Sequence, residues 1–104
     1  MQDMNGENMS LRQQQSIFAK KIALLILFAY EQGYEITLGD AWARDGHKDG
    51  SFHYKRLAID LNLFKDGNYL TETSDHEPLG LFWETLGGTW GGRFDDGNHY
   101  SYGE

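Results

Sequence analysis

The chain has 104 residues, a formal net charge of −7, 39% hydrophobic residues and no cysteine. The missing cysteines exclude disulfides, cysteine-ligated zinc and thiol catalysis, and the acidic balance argues against a nucleic-acid partner. The longest apolar run, residues 22–30, is too short to span a bilayer, which takes about 20 residues. We therefore expect one globular domain over residues 1–104, with residues 1–9 as a flexible leader and no membrane insertion.

The first predicted element is a helix from Leu11 to about Gln32. Ser10 and Gln13 have the spacing of a capping box at its start, and Gly33 is a typical residue just past a helix end. The apolar run lies inside this helical pattern and no small-residue cleavage site follows it, so we expect no export signal. Four apolar residues at helical spacing predict the core-facing side: Phe18, Ile22, Leu25 and Ala29.

Two stretches alternate between apolar and polar residues and are predicted to be strands, residues 34–42 and residues 57–64. In the second stretch, the leucine and isoleucine side chains face one way and Asp60 and Asn62 face the other. Asp66-Gly67 is a turn signal, so residues 68–70 are predicted to return as the second strand of a hairpin.

The last part of the chain predicts a short helix and a final strand. Residues 71–77 are polar and loop-like, Pro78 suits the first turn of a helix, and Gly87-Gly88 ends that helix. Residues 90–94 are predicted to be an irregular loop, and residues 98–102 a short strand. The expected fold class is α+β, a small antiparallel sheet packed against a long N-terminal helix and a second, shorter helix.

An acidic side chain in the middle of a half-buried strand needs solvent, an ion pair or a metal ion. Asp60 is such a residue, and His53 and His99 lie at loop–strand junctions before and after it in the chain. Two histidines and one carboxylate are a familiar zinc ligand set that leaves a position open. We therefore hypothesise one zinc at the edge of the sheet, held by His53, Asp60 and His99. Asp96, three residues before His99, would act as the base, and Asn62 could brace Asp60.

Ordinary structural roles remain open for each of these residues. Asp60 could pair with Arg56 or Arg93, and residues 95–98 have the composition of a solvent-exposed turn. Asp95 could replace Asp96 as the base, although its side chain should point elsewhere if the segment is extended. His47 and His76 show that the chain also carries histidines without an evident role.

A local basic cluster surrounds the loop that carries His53, and it favours an anionic substrate on an otherwise acidic chain. An ordinary salt-bridged loop is the alternative. The cluster consists of Arg44, Lys48, Lys55 and Arg56. Three aromatic residues could wall a cleft, although core packing is expected for at least one of them: Trp42, Trp90 and Tyr100.

Two motifs together resemble the signatures of the M15 metallopeptidases. Ser51-x-His53-x-x-x-x-Ala58-x-Asp60 resembles the first signature, and Asp96-x-x-His99 matches the second. The resemblance runs from about residue 11 to residue 102. Within the family, residues 56–64 and 79–88 look most like small bacteriophage endolysins of the L-alanyl-D-glutamate peptidase branch.

The resemblance implies a zinc peptidase that cuts the stem peptide of peptidoglycan, at the L-Ala–D-Glu bond in this branch. It implies zinc on His53, Asp60 and His99, a general base at Asp96, and a role for Ser51 in holding substrate or loop. As a phage enzyme, the protein would wait in the host cytoplasm until lysis and then act in the periplasm on the cell wall. We expect it to be a monomer. Alternatives are a D-Ala-D-Ala carboxypeptidase of the same family, a non-catalytic zinc-stabilised wall-binding module and an acidic structural domain without metal.

Two positions depart from the family pattern. Arg56 stands where many members have glycine, which favours the phage branch. The arginine that polarises the scissile carbonyl often directly follows the aromatic residue of the strand, whereas Ala43 follows Trp42 here and Arg44 comes next. We assign that role to Arg44, and substrate binding to Ser51, Trp42 and Arg56.

Overall fold

The computed structural model describes residues 9–40 and 55–102, which form two α-helices, two 3₁₀ helices and a five-stranded sheet. The helices and strands run in the order α1 (Leu11–Glu31), β1 (Glu35–Leu38), β2 (Ala58–Lys65), β3 (Asn68–Leu70), α2 (Glu77–Thr85), β4 (Thr89–Trp90) and β5 (His99–Ser101). The predicted α+β class, with two helices and a small antiparallel sheet, is confirmed. None of the helices in these two ranges is long and apolar enough to cross a membrane.

Helix α1 begins and ends at the predicted signals. The backbone N–H of Gln13 donates to the Ser10 hydroxyl at 3.1 Å, and the N–H of Ser10 donates to the Gln13 side chain at 2.8 Å. Gly33 follows the C-cap residue Gln32 with a φ of +91°, a conformation in which glycine has no steric penalty. The predicted stripe is the buried face: Phe18, Ile22, Leu25 and Ala29.

Strand β2 is the centre of the sheet. It pairs with β1 along one edge, and with both β5 and β3 along the other. At Asp60, the backbone hydrogen bonds go to the β1 side, and His99 of β5 lies on the opposite side. Strand β4 then pairs with β5. The alternation predicted for β2 is confirmed, since three of its apolar side chains, Ile59, Leu61 and Leu63, enter the core together with Leu57 just before the strand.

The turn between β2 and β3 has the two residues that the sequence predicted. Lys65 pairs with Asn68, and the two loop residues have positive φ angles, +52° at Asp66 and +79° at Gly67. Such a pair is the hallmark of the type I′ turn, whose twist matches that of the flanking strands.

Three segments differ from the sequence-based prediction. Thr73–His76 is a 3₁₀ helix that leads into α2, where a polar loop was expected. Residues 89–94 form the short strand β4 and a second 3₁₀ helix, Gly91–Phe94, where an irregular loop was expected. Strand β1 ends at Leu38, short of the predicted Trp42, which lies outside the described residues. Turns of this size depend on tertiary packing more than on residue pattern.

Candidate active site

Asp60 and His99 are direct cross-strand neighbours on β2 and β5. The N–H and C=O of Asp60 both bind the β1 side, to Asp40 O at 2.9 Å and from Gly39 N at 2.8 Å. Asp60 and His99 are therefore a non-hydrogen-bonded pair, the kind in which antiparallel strands bring opposed side chains closest together. The distance between Asp60 Oδ1 and His99 Nδ1 is 3.5 Å, and both side chains are partly exposed, at 23% and 17%.

The chain before His99 is a compact turn. The 3₁₀ helix ends at Asp95, which has a left-handed conformation with φ +62°. The N–H of Asp96 donates to Gly91 O at 2.9 Å, and the N–H of His99 donates to Asp96 O at 3.2 Å. The premise of an extended segment, used to separate Asp96 from Asp95, is therefore wrong. Both residues are exposed and both line the same cleft.

That cleft lies where β2 changes partners. Strand β5 pairs with β2 as far as Asp60, and β3 pairs with it from Leu63 onward. Residues 61–62, between these two partners, line the cleft, where Leu61 is fully buried and Asn62 is partly exposed. The cleft has a volume of about 210 Å³ and its lining is mostly polar. It carries the carboxylates of Glu72, Asp95 and Asp96.

Asn62 lies on the Asp60 face of β2, as predicted, but it does not brace Asp60. Its amide nitrogen donates to Thr37 Oγ1 at 3.3 Å, and its carbonyl oxygen accepts from Tyr69 Oη at 3.5 Å. Asn62 thus joins β1, β2 and β3 beside the cleft.

Arg93 is engaged away from Asp60. Its Nε and Nη2 donate to the two carboxylate oxygens of Glu84 at 3.0 and 2.8 Å. These hydrogen bonds lower the pKa of Glu84 and raise the pKa of Arg93. The carboxylate partner of Arg93 is therefore Glu84, and the alternative pairing of Asp60 with Arg93 is not the one adopted.

His76, which had no predicted role, is buried behind the cleft. It is 3% exposed, and its Nδ1 lies 2.9 Å from the hydroxyl of Tyr100, which is fully buried. Burial lowers the pKa of His76, outweighing the opposite effect of Asp75, and burial raises the pKa of Tyr100. Trp90 is also a core residue, so core packing, expected for at least one of the three aromatic residues, is found for both Trp90 and Tyr100. No pattern in the sequence around His76 predicts its contact with Tyr100.

Arg56 has a left-handed backbone with φ +58°. Glycine is the residue that adopts this conformation without steric cost, which gives a physical reason for the glycine found at this place in the resembled signature. Arg56 itself is exposed. Its assigned role in substrate binding stays a prediction.

Four of the predicted site residues lie outside the described residues: Trp42, Arg44, Ser51 and His53. The structure thus brings together Asp60, His99 and the Asp96 turn, and says nothing of the third proposed ligand. Within the described ranges 9–40 and 55–102, no group of three or more His, Cys, Asp or Glu side chains could hold a metal ion.

Comparison with known proteins adds a family. A peptidase M15 family model, described as D-alanyl-D-alanine carboxypeptidase, matches residues 44–102, more than half of the chain. No curated protein matches the chain. The matched range includes both motifs and the Asp60–His99 pair that the sheet assembles. The chain therefore belongs to the M15 peptidase family.

Proposed function

We propose that the protein is a zinc endopeptidase of the endolysin type that cleaves the peptidoglycan stem peptide at the L-Ala–D-Glu bond. The observation that carries the proposal is the cross-strand pair of Asp60 and His99, with Asp96 on the turn that leads into it. The choice of bond and the endolysin role rest on the resemblance of residues 56–64 and 79–88 to the phage branch.

The Asp60–His99 geometry fits zinc better than it fits a simple hydrogen bond. Zinc binds imidazole nitrogen and carboxylate oxygen at about 2.0–2.2 Å, so two ligands of a tetrahedral site lie about 3.3 Å apart. The observed separation of 3.5 Å is close to that value. It is longer than an ordinary N–H···O bond, for which the donor–acceptor distance is about 2.7–3.2 Å.

In this proposal His53, Asp60 and His99 hold the zinc, which when bound makes a water molecule acidic near neutral pH and polarises a carbonyl. Asp60 is rigid because both of its backbone groups are bonded to the β1 side. His99 is fixed by its place on β5 between β2 and β4. A site built on paired strands needs little reorganisation when substrate binds.

Asp96 takes the proton of the attacking water and returns it to the leaving amine. Its exposed carboxylate and its place one turn before His99 suit this role, because a general base must be accessible to both groups. In this role assignment, Arg44 would stabilise the negative charge that develops on the oxygen of the scissile carbonyl. Ser51, Trp42 and Arg56 bind the substrate, with the Arg56 guanidinium pairing to stem-peptide carboxylates.

The direct test is digestion of defined peptidoglycan by the purified protein, with and without a chelator, followed by mass spectrometry of the products. We expect cleavage between L-Ala and D-Glu that chelator abolishes and added zinc restores. Intact stem peptides with zinc present would contradict the proposal.

A second candidate is a D-Ala-D-Ala carboxypeptidase, which the description of the matching family model favours. It would use the same ligands and release only the terminal D-alanine. The same digestion separates the two, because the masses of the products differ. A non-catalytic wall-binding module would instead bind sacculi and release no peptide.

A further inference from the structure

Gly97 lies between Asp96 and His99, and side chains hold both of its backbone groups. Its N–H donates to Thr73 Oγ1 at 3.2 Å, and its C=O accepts from the indole N–H of Trp90 at 2.8 Å. Gly97 is buried although Asp96 beside it is exposed. The turn between the proposed base and the proposed ligand is therefore anchored at its middle residue.

The Trp90 donor is itself held in one orientation. Its ring lies against Gly80 of α2 and Gly92 of the second 3₁₀ helix, and a β-carbon at either glycine would collide with the ring. The Arg93 guanidinium lies 5.6 Å from the ring centroid. Trp90 is 4% exposed and packed in this way, and its indole N–H points at Gly97 O.

Thr73 approaches Gly97 equally closely. A β-carbon on Gly97 would lie 2.6 Å from the Thr73 Cα, a backbone atom that cannot turn aside. The far end of the same 3₁₀ helix is tied to β5, because His76 contacts the hydroxyl of Tyr100, the residue after His99. The Thr73–His76 helix thus contacts Gly97 and Tyr100, which lie on either side of His99 in the sequence.

We propose that Thr73 and Trp90 are positioning residues that clamp Gly97, and thereby set Asp96 and His99 in the register that metal binding and proton transfer require. The expected effect on zinc binding rests on the proposed function, whereas the contacts of Thr73 and Trp90 with Gly97 do not require zinc. Loss of either contact leaves a buried backbone group of Gly97 unpaired, so the turn shifts to find another partner. Such a shift displaces His99 from Asp60.

The first test compares three threonine variants of the full chain. Thr73→Val keeps the shape and removes the acceptor, Thr73→Ser keeps the acceptor, and Thr85→Val makes the matched change at an exposed threonine whose hydroxyl bonds within α2. Zinc affinity is measured by competition with a chromophoric chelator. We expect about 10- to 100-fold weaker binding for Thr73→Val, the range found when partners behind metal ligands are removed. Thr73→Ser and Thr85→Val should bind as the wild type does.

Amide hydrogen exchange of Gly97 in the zinc-free protein gives the second readout. We expect faster exchange in Thr73→Val than in Thr85→Val, and Trp90→Phe should weaken zinc binding by removing the indole N–H. Unchanged affinity and unchanged Gly97 exchange in Thr73→Val, or lower thermal stability without lower affinity, would overturn the clamp. If Asp60→Asn binds zinc as tightly as the wild type, the proposed metal site fails instead, and Gly97 exchange still decides the clamp.

Discussion

The two ends of strand β2 are assembled in different ways. At the Lys65 end, a two-residue turn brings β3 back alongside β2, so adjacent residues make the pairing. At the Ala58 end the partner is β5, which is separated from β2 in the chain by β3, α2, β4 and both 3₁₀ helices. The Asp60–His99 pair lies at this second end. The position of His99 relative to Asp60 therefore depends on the packing of all the elements that lie between them in the chain.

Replacing an aspartate by asparagine at each end of β2 should give the largest difference in the rate of stem-peptide hydrolysis. Asp60→Asn removes the anionic oxygen facing His99, and we expect stem-peptide hydrolysis to fall by about 10³-fold or more, since a metal contributes several kcal/mol to the transition state. Asp66→Asn should leave hydrolysis unchanged, because asparagine tolerates the positive φ of this turn. Turnover of purified muropeptides measures both. Equal rates for the two variants would remove Asp60 from the site.

The two carboxylates of the Asp95–Asp96 turn should differ next most. For Asp96→Asn we expect hydrolysis about 10²- to 10⁴-fold slower, the usual contribution of a general base, with zinc retained. For Asp95→Asn we expect nearly normal rates, because asparagine also accepts the left-handed backbone at this position. Steady-state kinetics with metal analysis separates loss of base from loss of metal. A slower Asp95→Asn beside a normal Asp96→Asn would exchange the two roles.

A residue with a left-handed backbone lies near each end of β2, Arg56 before the Ala58 end and Asp66 after the Lys65 end. Arg56→Gly and Arg56→Ala both remove the guanidinium, so the difference between them reports the φ of +58° alone. We expect the alanine variant to be less stable to unfolding than the glycine variant by about 1 kcal/mol. Urea unfolding with chelator present measures the difference. A more stable alanine variant would show that the left-handed conformation is not kept.

At the hairpin end, Gly67→Ala places a β-carbon on a residue with φ +79°. Open space surrounds Gly67, so strain in the backbone is the one cost, about 1 kcal/mol of unfolding free energy. Zinc affinity should not change, because β3 contacts neither Asp60 nor His99 in the strand register. A parallel loss of zinc affinity would show that the two ends of β2 are coupled.

The smallest expected effect is a pH dependence of the unfolding free energy, caused by His76, which contacts β5 at the Ala58 end of β2. Burial lowers the pKa of His76, so the unfolded chain takes up a proton below about pH 6.5 that the folded chain resists. This contribution to stability is present above that pH and is lost as the pH falls. His76→Gln should therefore lose less stability between about pH 7.5 and pH 5 than the wild type, in chelator, whereas Gly67→Ala should keep the wild-type slope. Thermal unfolding across this range is the measurement.

Local signals were sufficient for several elements. The Ser10–Gln13 capping box, the Gly33 stop and the Asp66-Gly67 turn each act within a few residues, and each is found where the sequence predicted it. The alternation that put Asp60 opposite the apolar face of β2 is also local, because neighbouring strand residues point to opposite sides.

Other features had no local signal. The αL conformation of Asp95, the burial of His76 and the clamp on Gly97 each depend on groups brought from elsewhere in the chain. The burial of Trp90 and Tyr100 is of the same kind, since aromatic residues suit a cleft wall and a core equally well until their neighbours are known.

By itself, the sequence determined the α+β class, the boundaries of α1, the hairpin and the face on which Asp60 lies, because capping, turn chemistry and strand alternation are properties of short segments. It also carried the two motifs that suggested the M15 peptidases. Only the tertiary structure decided that Asp60 faces His99 across a non-hydrogen-bonded pair at 3.5 Å, and that Gly97 is held by Thr73 and Trp90. Register between distant strands is set by the packing of everything between them.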